Sequence, residues 1–177
     1  MVVKNTIQKI NMPTAKPVGM FFIFFMQCVL VLVISGCGSS MPKQIDAAQQ
    51  GELRIRTSAA EHVFTVELAL DERSQAKGLM FRREMKSDHG MLFIYKGEHP
   101  ISMWMKNTVL SLDMLFVKRD GTIAKIAKRT EPFSERIIAS REPVLAVLEL
   151  NGGTADRLMI KEGDRLIHPL LASNGDQ

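Results

Sequence analysis

Thiols are nearly missing from this chain: 177 residues hold two cysteines, Cys28 and Cys37, and none follows residue 37. Everything downstream must therefore be held together without a disulfide and without a Cys nucleophile. Aromatic residues are sparse, with one Trp and one Tyr, and acidic residues are absent before Asp46. No Gly-x-Ser-x-Gly elbow occurs, which removes the sequence signature of one large hydrolase class. Gly78, Gly90, Gly121, Gly152 and Gly163 lack the spacing of a phosphate-cradling loop and read as backbone positions. The four His, at 62, 89, 99 and 168, include no pair four apart on a helix. Only His89 and His99, in turns flanking one expected strand, suggest a shared metal site, and no metal or other cofactor is expected.

The formal charge of +4 is concentrated at the amino terminus, in Lys4, Lys9 and Lys16. Beyond residue 36, 20 Lys and Arg face 19 Asp and Glu, so composition offers no basic face for nucleic acid. A 46% hydrophobic, 24% charged chain of this length implies one globular domain behind a targeting segment.

Residues 1–19 are polar and basic, and residues 20–34, MFFIFFMQCVLVLVI, are apolar apart from Gln27. That order is the order of a secretory signal peptide. Directly after it, Ile34-Ser35-Gly36-Cys37 resembles the bacterial lipobox, which implies cleavage before Cys37 and lipidation (palmitate among the acyl groups) of that residue. One acyl chain holds a protein only marginally on a membrane, whereas several anchor it stably. An uncleaved helix over residues 18–36 is the alternative. Either way the following domain is delivered outside the cytoplasm. With Gly38 rather than Asp after the lipidated Cys, the periplasmic face of the outer membrane is favoured in an organism with two membranes. Residues 37–50 read as lipidated Cys and flexible tether, residues 51–170 as a single β-rich domain, and residues 171–177 as a frayed end.

Within the domain, Leu53 and Ile55 alternate with Arg54 and Arg56, and Phe64, Val66, Leu68 and Leu70 alternate with Thr65 and Glu67. Both patterns predict half-buried strands. Asp71 stands where a helix N-cap would, before an apolar stripe of Ala76, Leu79 and Met80, which predicts a helix near residues 72–80. Gly78 marks either the helix end or a close backbone approach. Further strands are predicted at 91–95, 101–108, 110–117, 122–127, 144–150 and 165–168, with 96–100 a loop. Asp120-Gly121 is a hairpin signal, and Thr154 caps a short helical turn. The expected architecture is mainly β (α+β), a compact sandwich or barrel-like single domain with one short helix.

The stretch from Gly90 to Ile123 carries the only Trp and Tyr and places polar groups inside apolar surroundings. As a strand, residues 101–108 would put Met103, Met105 and Asn107 on one face and Trp104, Lys106 and Thr108 on the other. Strand 101–108, strand 110–117 and the strand beyond the Asp120-Gly121 turn would then be adjacent. Lys106, Asn107, Asp113 and Glu149 need partners, since a buried polar group without one costs roughly 1–3 kcal/mol. Two arrangements answer that need. In one, Lys106 pairs with Asp113 or Glu149 in a structural network. In the other, Lys106 and Asn107 line a pocket for an anionic or carbonyl group beside a carboxylate. Met80, Met91, Met103, Met105 and Met114 suit Cu(I) by chemistry, or fill core gaps. Arg82 and Arg83 read as solvated or paired with Glu84 and neighbouring acids rather than as an anion clamp.

GLMFR at 78–82, GMLFIY at 90–95, MWMKNT at 103–108, LDMLFV at 112–117 and LELNGGTADRLMIKEGD at 148–164 together resemble domain-of-unknown-function family 192. The resemblance spans about Glu52 to His168 and implies a small β-rich domain without an established reaction. Where members of that family often carry Phe before Trp-Met-Lys-Asn-Thr, this chain has Met103, a replacement of similar volume.

These readings converge on a lipid-anchored envelope protein whose domain binds a small polar ligand, an envelope polymer or a partner protein through Trp104, Lys106, Asn107, Asp113 and Glu149. The alternatives are a hydrolase with Asp113 or Glu149 as general base, and Cu(I) binding through Met103 and Met105.

Overall fold

Seven stretches of alternating or continuous apolar residues become strands, and their inward side chains meet in one interior. The computed structural model describes residues 49–172. The signal segment expected over residues 1–36, the lipidation site Cys37, the tether as far as residue 48 and the tail from residue 173 lie outside the described residues. The elements are β1 (Gln50–Arg56), β2 (Glu61–Ala69), α1 (Glu72–Lys77), β3 (His89–Met103), β4 (Leu112–Val117), β5 (Ile123–Ala127), β6 (Ile138–Asn151), α2 (Thr154–Arg157), β7 (Arg165–Ile167) and α3 (Pro169–Ala172).

The strands form one sheet in the order β5-β4-β6-β3-β2-β1-β7. β2 and β3 pair in parallel and every other neighbouring pair is antiparallel. A parallel pair needs a crossover, and residues 70–88, with α1, supply it. The two edge strands approach each other through a bridge between Thr122 and Arg165. The Ile123 N–H donates to Asp164 at 2.9 Å and the Leu166 N–H donates to Gly121 at 2.8 Å. The sheet is thereby nearly closed into a barrel, which leaves little unpaired edge and decides between the two expected architectures.

All seven strands contribute to the interior cluster, among them Leu53, Phe64, Leu92, Leu115, Ile123, Leu148 and Leu166. A second cluster lies on the other face of β3, β4 and β6, where Met91, Phe93, Met114, Phe116 and Val147 pack with Leu79 and Met105. These three strands are buried on both faces, and every residue of β4 is inaccessible. Two-sided burial explains why Leu112–Val117 reads as a continuous apolar run rather than an alternation.

Local signals were followed closely at α1. The Asp71 carboxylate accepts from the Ser74 N–H at 2.9 Å, and the Ser74 hydroxyl accepts from the Asp71 N–H at 3.2 Å, a reciprocal capping box. The helix ends at Lys77, three residues short of the expected limit, because Gly78 adopts φ +46 against the Phe93 ring. The Asp120-Gly121 turn joins β4 to β5 as expected.

Other expectations need correction. β3 and β4 are not neighbours, since β6 lies between them. β3 runs through the expected loop at 96–100 by means of a bulge between Ile94 and His99, and it stops at Met103. Residues 104–111 form a turn rather than a strand, with Asn107 at φ +55, a conformation that Asn tolerates better than most residues. The helical turn expected after Thr154 is present as α2, but Thr154 is its first residue and Gly153, in left-handed backbone, holds the N-cap position without a side-chain cap; α3 is a further short helix.

Gly121 takes φ +86, and a Cβ there would sit 2.3 Å from the Leu166 carbonyl oxygen. Gly121→Ala is therefore expected to pry β5 from β7 and to lower stability by about 2 kcal/mol or more. Urea denaturation checks it; a midpoint unchanged from the parent would contradict the closure.

Candidate functional site

Asp113 and Glu149 occupy opposite faces of the sheet. Asp113 sits opposite Leu150 and faces the interior, whereas Glu149 sits opposite both Met91 and Met114 and faces the second cluster. Asp113 is fully buried. Its Oδ1 accepts from the Arg129 N–H at 2.8 Å and the Gly153 N–H at 3.0 Å, and its Oδ2 accepts from the Ala155 N–H at 2.8 Å. One carboxylate thus ties β4 to the segment after β5 and to the start of α2. Both its oxygens are engaged by backbone donors, which leaves it poorly placed to take a proton from a substrate.

Glu149 is 4% exposed. Among the described residues no cation pairs with it, and burial pushes its carboxyl up to about 8. The same surroundings, with a further contribution from Glu149, push the Tyr95 phenol up to about 12. Tyr95 donates to the Met103 sulfur at 3.7 Å, and the Thr130 hydroxyl donates to the Met105 sulfur at 3.1 Å. The two thioethers proposed for copper each engage a different hydroxyl and pack within the second cluster. Among the described residues no group of three or more His, Cys, Asp or Glu converges as a metal set. His89 contacts Asp88, while His99, ten residues further along β3, meets Tyr95 edge-on at 5.4 Å. At about 3.3 Å per strand residue the two imidazoles stand far apart, so they do not share a site.

Trp104, Lys106 and Asn107 lie together on the surface instead. Lys106 Nζ rests 5.1 Å from the Trp104 ring and 4.0 Å from the Glu135 carboxylate. It pairs with neither Asp113 nor Glu149, so the five expected residues split into a surface group and two separate buried carboxylates. Three loops meet at the surface group. The Phe81 N–H donates to Asn107 at 2.9 Å, the Phe133 N–H to Thr108 at 3.0 Å, and the Met105 N–H to Ser134 at 2.9 Å. Arg82 pairs with Glu67 of β2, not with Glu84, and Asn151 donates to the carbonyls of Met85 and Lys86 at 2.9 and 3.0 Å. The first loop is pinned to the sheet at both ends.

The resulting crown holds large apolar side chains out to solvent. Phe81 is 75% exposed, Phe133 61%, Trp104 45% and Val109 41%. Phe81 and Phe133 both adopt left-handed backbone, φ +65 and +60, which is costly for a bulky residue. Neither was singled out from sequence. The available signal was an aromatic residue inside a charged loop, Phe81 before Arg82-Arg83 and Phe133 between Glu131 and Glu135.

Two substitutions separate the roles of the carboxylates. Asp113→Ala would leave three backbone N–H groups without their acceptor and should cost about 3–5 kcal/mol, read as a urea midpoint. Asp113→Asn should fall between that variant and the parent. A parent-like melting temperature for Asp113→Asn would instead return the residue to catalysis. For Glu149, the unfolded chain loses the proton near 4.5 and the folded protein near 8. Between those values the folded state binds more protons, so stability is fully present below about pH 4.5 and declines as pH rises through 8, by at most about 1.4 kcal/mol per unit. Glu149→Gln should flatten that slope, which urea titrations at pH 5 and pH 8 measure.

Comparison with known proteins agrees with the motifs. No curated protein matches the chain. A solved protein from Sinorhizobium meliloti 1021, described as a "putative transcription regulator", is 51% identical with a TM-score of 0.67, over 68% of this chain and 94% of that one. A solved protein of unknown function from Novosphingobium aromaticivorans DSM 12444 is 39% identical with a TM-score of 0.68, over 71% of this chain and 89% of that one. The family model described as Uncharacterized ACR, DUF192, matches residues 53–168. The chain belongs to that family.

Proposed function

We propose that this is a lipid-anchored, extracytoplasmic protein whose barrel serves as a binding module, docking a partner protein through the crown around Trp104, Lys106 and Asn107. The anchor reading rests on the basic segment, apolar run and lipobox-like Ile34-Ser35-Gly36-Cys37. One observation carries the docking reading: Phe81, Trp104, Val109 and Phe133 stand in solvent on three loops joined by backbone hydrogen bonds. Exposed apolar clusters rimmed by polar groups mark interaction surfaces, and aromatic anchors dominate protein interfaces. Side chains this prominent suit a partner's surface better than a small molecule, which is usually enclosed in a concavity. The hydrolytic alternative has weaker support, since Asp113 is occupied by backbone donors and Glu149 lies beneath the second cluster.

Phe81→Asn and Phe133→Asn replace costly left-handed Phe with a residue suited to that backbone. Stability should hold or rise by about 0.5–1 kcal/mol at each site, while docking is lost. A photo-crosslinking residue at position 104 of the full chain, in living host cells, reads the second effect. A discrete protein adduct is expected, absent from the Phe81→Asn, Phe133→Asn background and absent with the crosslinker at Val63, which is also exposed. No adduct at 104, or the same adducts at both positions, would contradict docking at the crown.

A further inference from the structure

Beside the crown, a groove of about 430 Å³ opens between β5 and the segment 128–141. Its walls carry five cations, Lys125, Lys128, Arg129, Arg136 and Arg141, against one carboxylate, Glu131. This concentration is local, because the chain beyond residue 36 is close to neutral.

Internal pairing does not neutralise the groove. Lys128 and Arg129 both engage the single carboxylate of Asp156. Lys125 is half-buried, donates to the Ala139 carbonyl and lies 5.4 Å from the Phe116 ring. No carboxylate of the described residues forms an ion pair with Arg136 or Arg141. Like charges gathered in one groove repel one another, so the arrangement is costly until an anion enters.

Backbone geometry is a second, independent observation. Arg129 takes φ +46 and Arg141 φ +70, conformations that cost a non-glycine residue roughly 1–3 kcal/mol and collect at functional sites. Arg141 sits in the irregular stretch of β6 facing Pro100 and Ser102, where the register with β3 shifts. Ser140 fixes this stretch by donating to the Glu142 carbonyl at 2.6 Å and accepting from the Ile101 N–H at 3.0 Å. Such irregularities re-aim side chains near sites. Here the one beside Arg141 brings a guanidinium from β6 to a groove whose other cations come from β5 and the following loop.

We propose that this groove binds a phosphate-bearing small ligand, with Arg136 and Arg141 as its principal contacts and Lys125 and Arg129 completing the charge. The planar guanidinium fork matches the oxygens of a phosphate group, and the volume falls within the range of small-molecule sites. The assignment does not rest on docking at the crown and is tested separately from it. The phosphate could belong to a free phosphorylated compound or to a lipid headgroup, and the two sources give different results below.

The test uses the isolated barrel domain, since the match with a 51% identical relative covers 94% of that relative's chain. Titration with inorganic pyrophosphate, followed by calorimetry and by backbone amide shifts, should show saturable binding that weakens with added salt. The shifts should concentrate at 125–131 and 136–141. Arg136→Glu with Arg141→Glu should weaken binding at least tenfold, the melting temperature staying within a few degrees because both side chains are exposed. Arg136→Lys with Arg141→Lys should retain part of the affinity, and Trp104→Ala should leave it unchanged. In parallel, where pyrophosphate binds, phosphatidylglycerol vesicles that also bind the parent but not the Glu variant would place the phosphate on a lipid headgroup; pyrophosphate binding without vesicle binding would place it on a free compound. The proposal is overturned if pyrophosphate does not bind, if the Glu variant binds it as well as the parent, or if only vesicles or duplex DNA bind.

Discussion

One carboxylate holds three parts of this fold together. Asp113 emerges from the end of β4 into the barrel interior and receives backbone N–H groups from Arg129, Gly153 and Ala155. Those donors belong to the loop after β5 and to the turn that opens α2, segments with no ladder of their own to satisfy them. A backbone donor left unpaired in an interior is expensive, so a side chain with two charged acceptor oxygens is an economical means of closing the end of the barrel. The loop fixed at Arg129 continues through Thr130, whose N–H donates to Leu112 at 2.8 Å, into the segment that carries Phe133 and Arg136. Both the crown and the groove are therefore built on a chain path that Asp113 anchors.

A second constraint is the two-sided burial of β3, β4 and β6. One face completes the barrel interior, and the other needs a cover, which the loops after α1 and β3 provide through Leu79, Met85, Met105 and Leu110. Loops used as a cover must be pinned, and Arg82–Glu67, the Asn151 amide and the Phe81–Asn107 backbone bond do so. Glu149 sits in the middle of this covered face with burial as the sole cause of its raised pKa. It is held neutral at low pH at little cost and becomes a liability as the medium turns alkaline. Methionines line the same layer, and their flexible side chains suit the irregular space between sheet and loops.

Much of the fold was legible from local pattern. Alternation located β1 and β2, Asp71 with the Ala76, Leu79 and Met80 stripe located α1, and Asp120-Gly121 located the β4–β5 turn. Pairing order was not legible, because the insertion of β6 between β3 and β4 depends on contacts about 35 residues apart along the chain, as in Met114 opposite Glu149. The bulge that carries β3 through Lys96–Pro100 looked like a loop because Gly97 and Pro100 punctuate it. Trp104, Lys106 and Asn107 are neighbours in MWMKNT and share one surface loop, but the assumption of a strand through Thr108 sent Lys106 and Asn107 to opposite faces. The buried carboxylates looked equivalent in sequence. Strand parity and the donors around each one separate them into a structural acceptor and a buried acid, and neither is visible without the register. The groove escaped notice for the same reason, since Lys125, Lys128, Arg129, Arg136 and Arg141 are scattered in sequence within a nearly neutral domain.

The central claim is that Asp113 is committed to holding the barrel end while the crown loops remain available for docking. Native-state hydrogen exchange reads both halves at once. The amides of Arg129, Gly153 and Ala155 are expected to exchange only through global unfolding, with a denaturant dependence equal to that of the whole domain. The amides of Trp104, Lys106 and Val109, in the loop after β3, should exchange through small local openings. Rapid, denaturant-independent exchange at Ala155 and Gly153 would mean that the Asp113 carboxylate is not engaged by the backbone, and would return it to the list of groups free for chemistry.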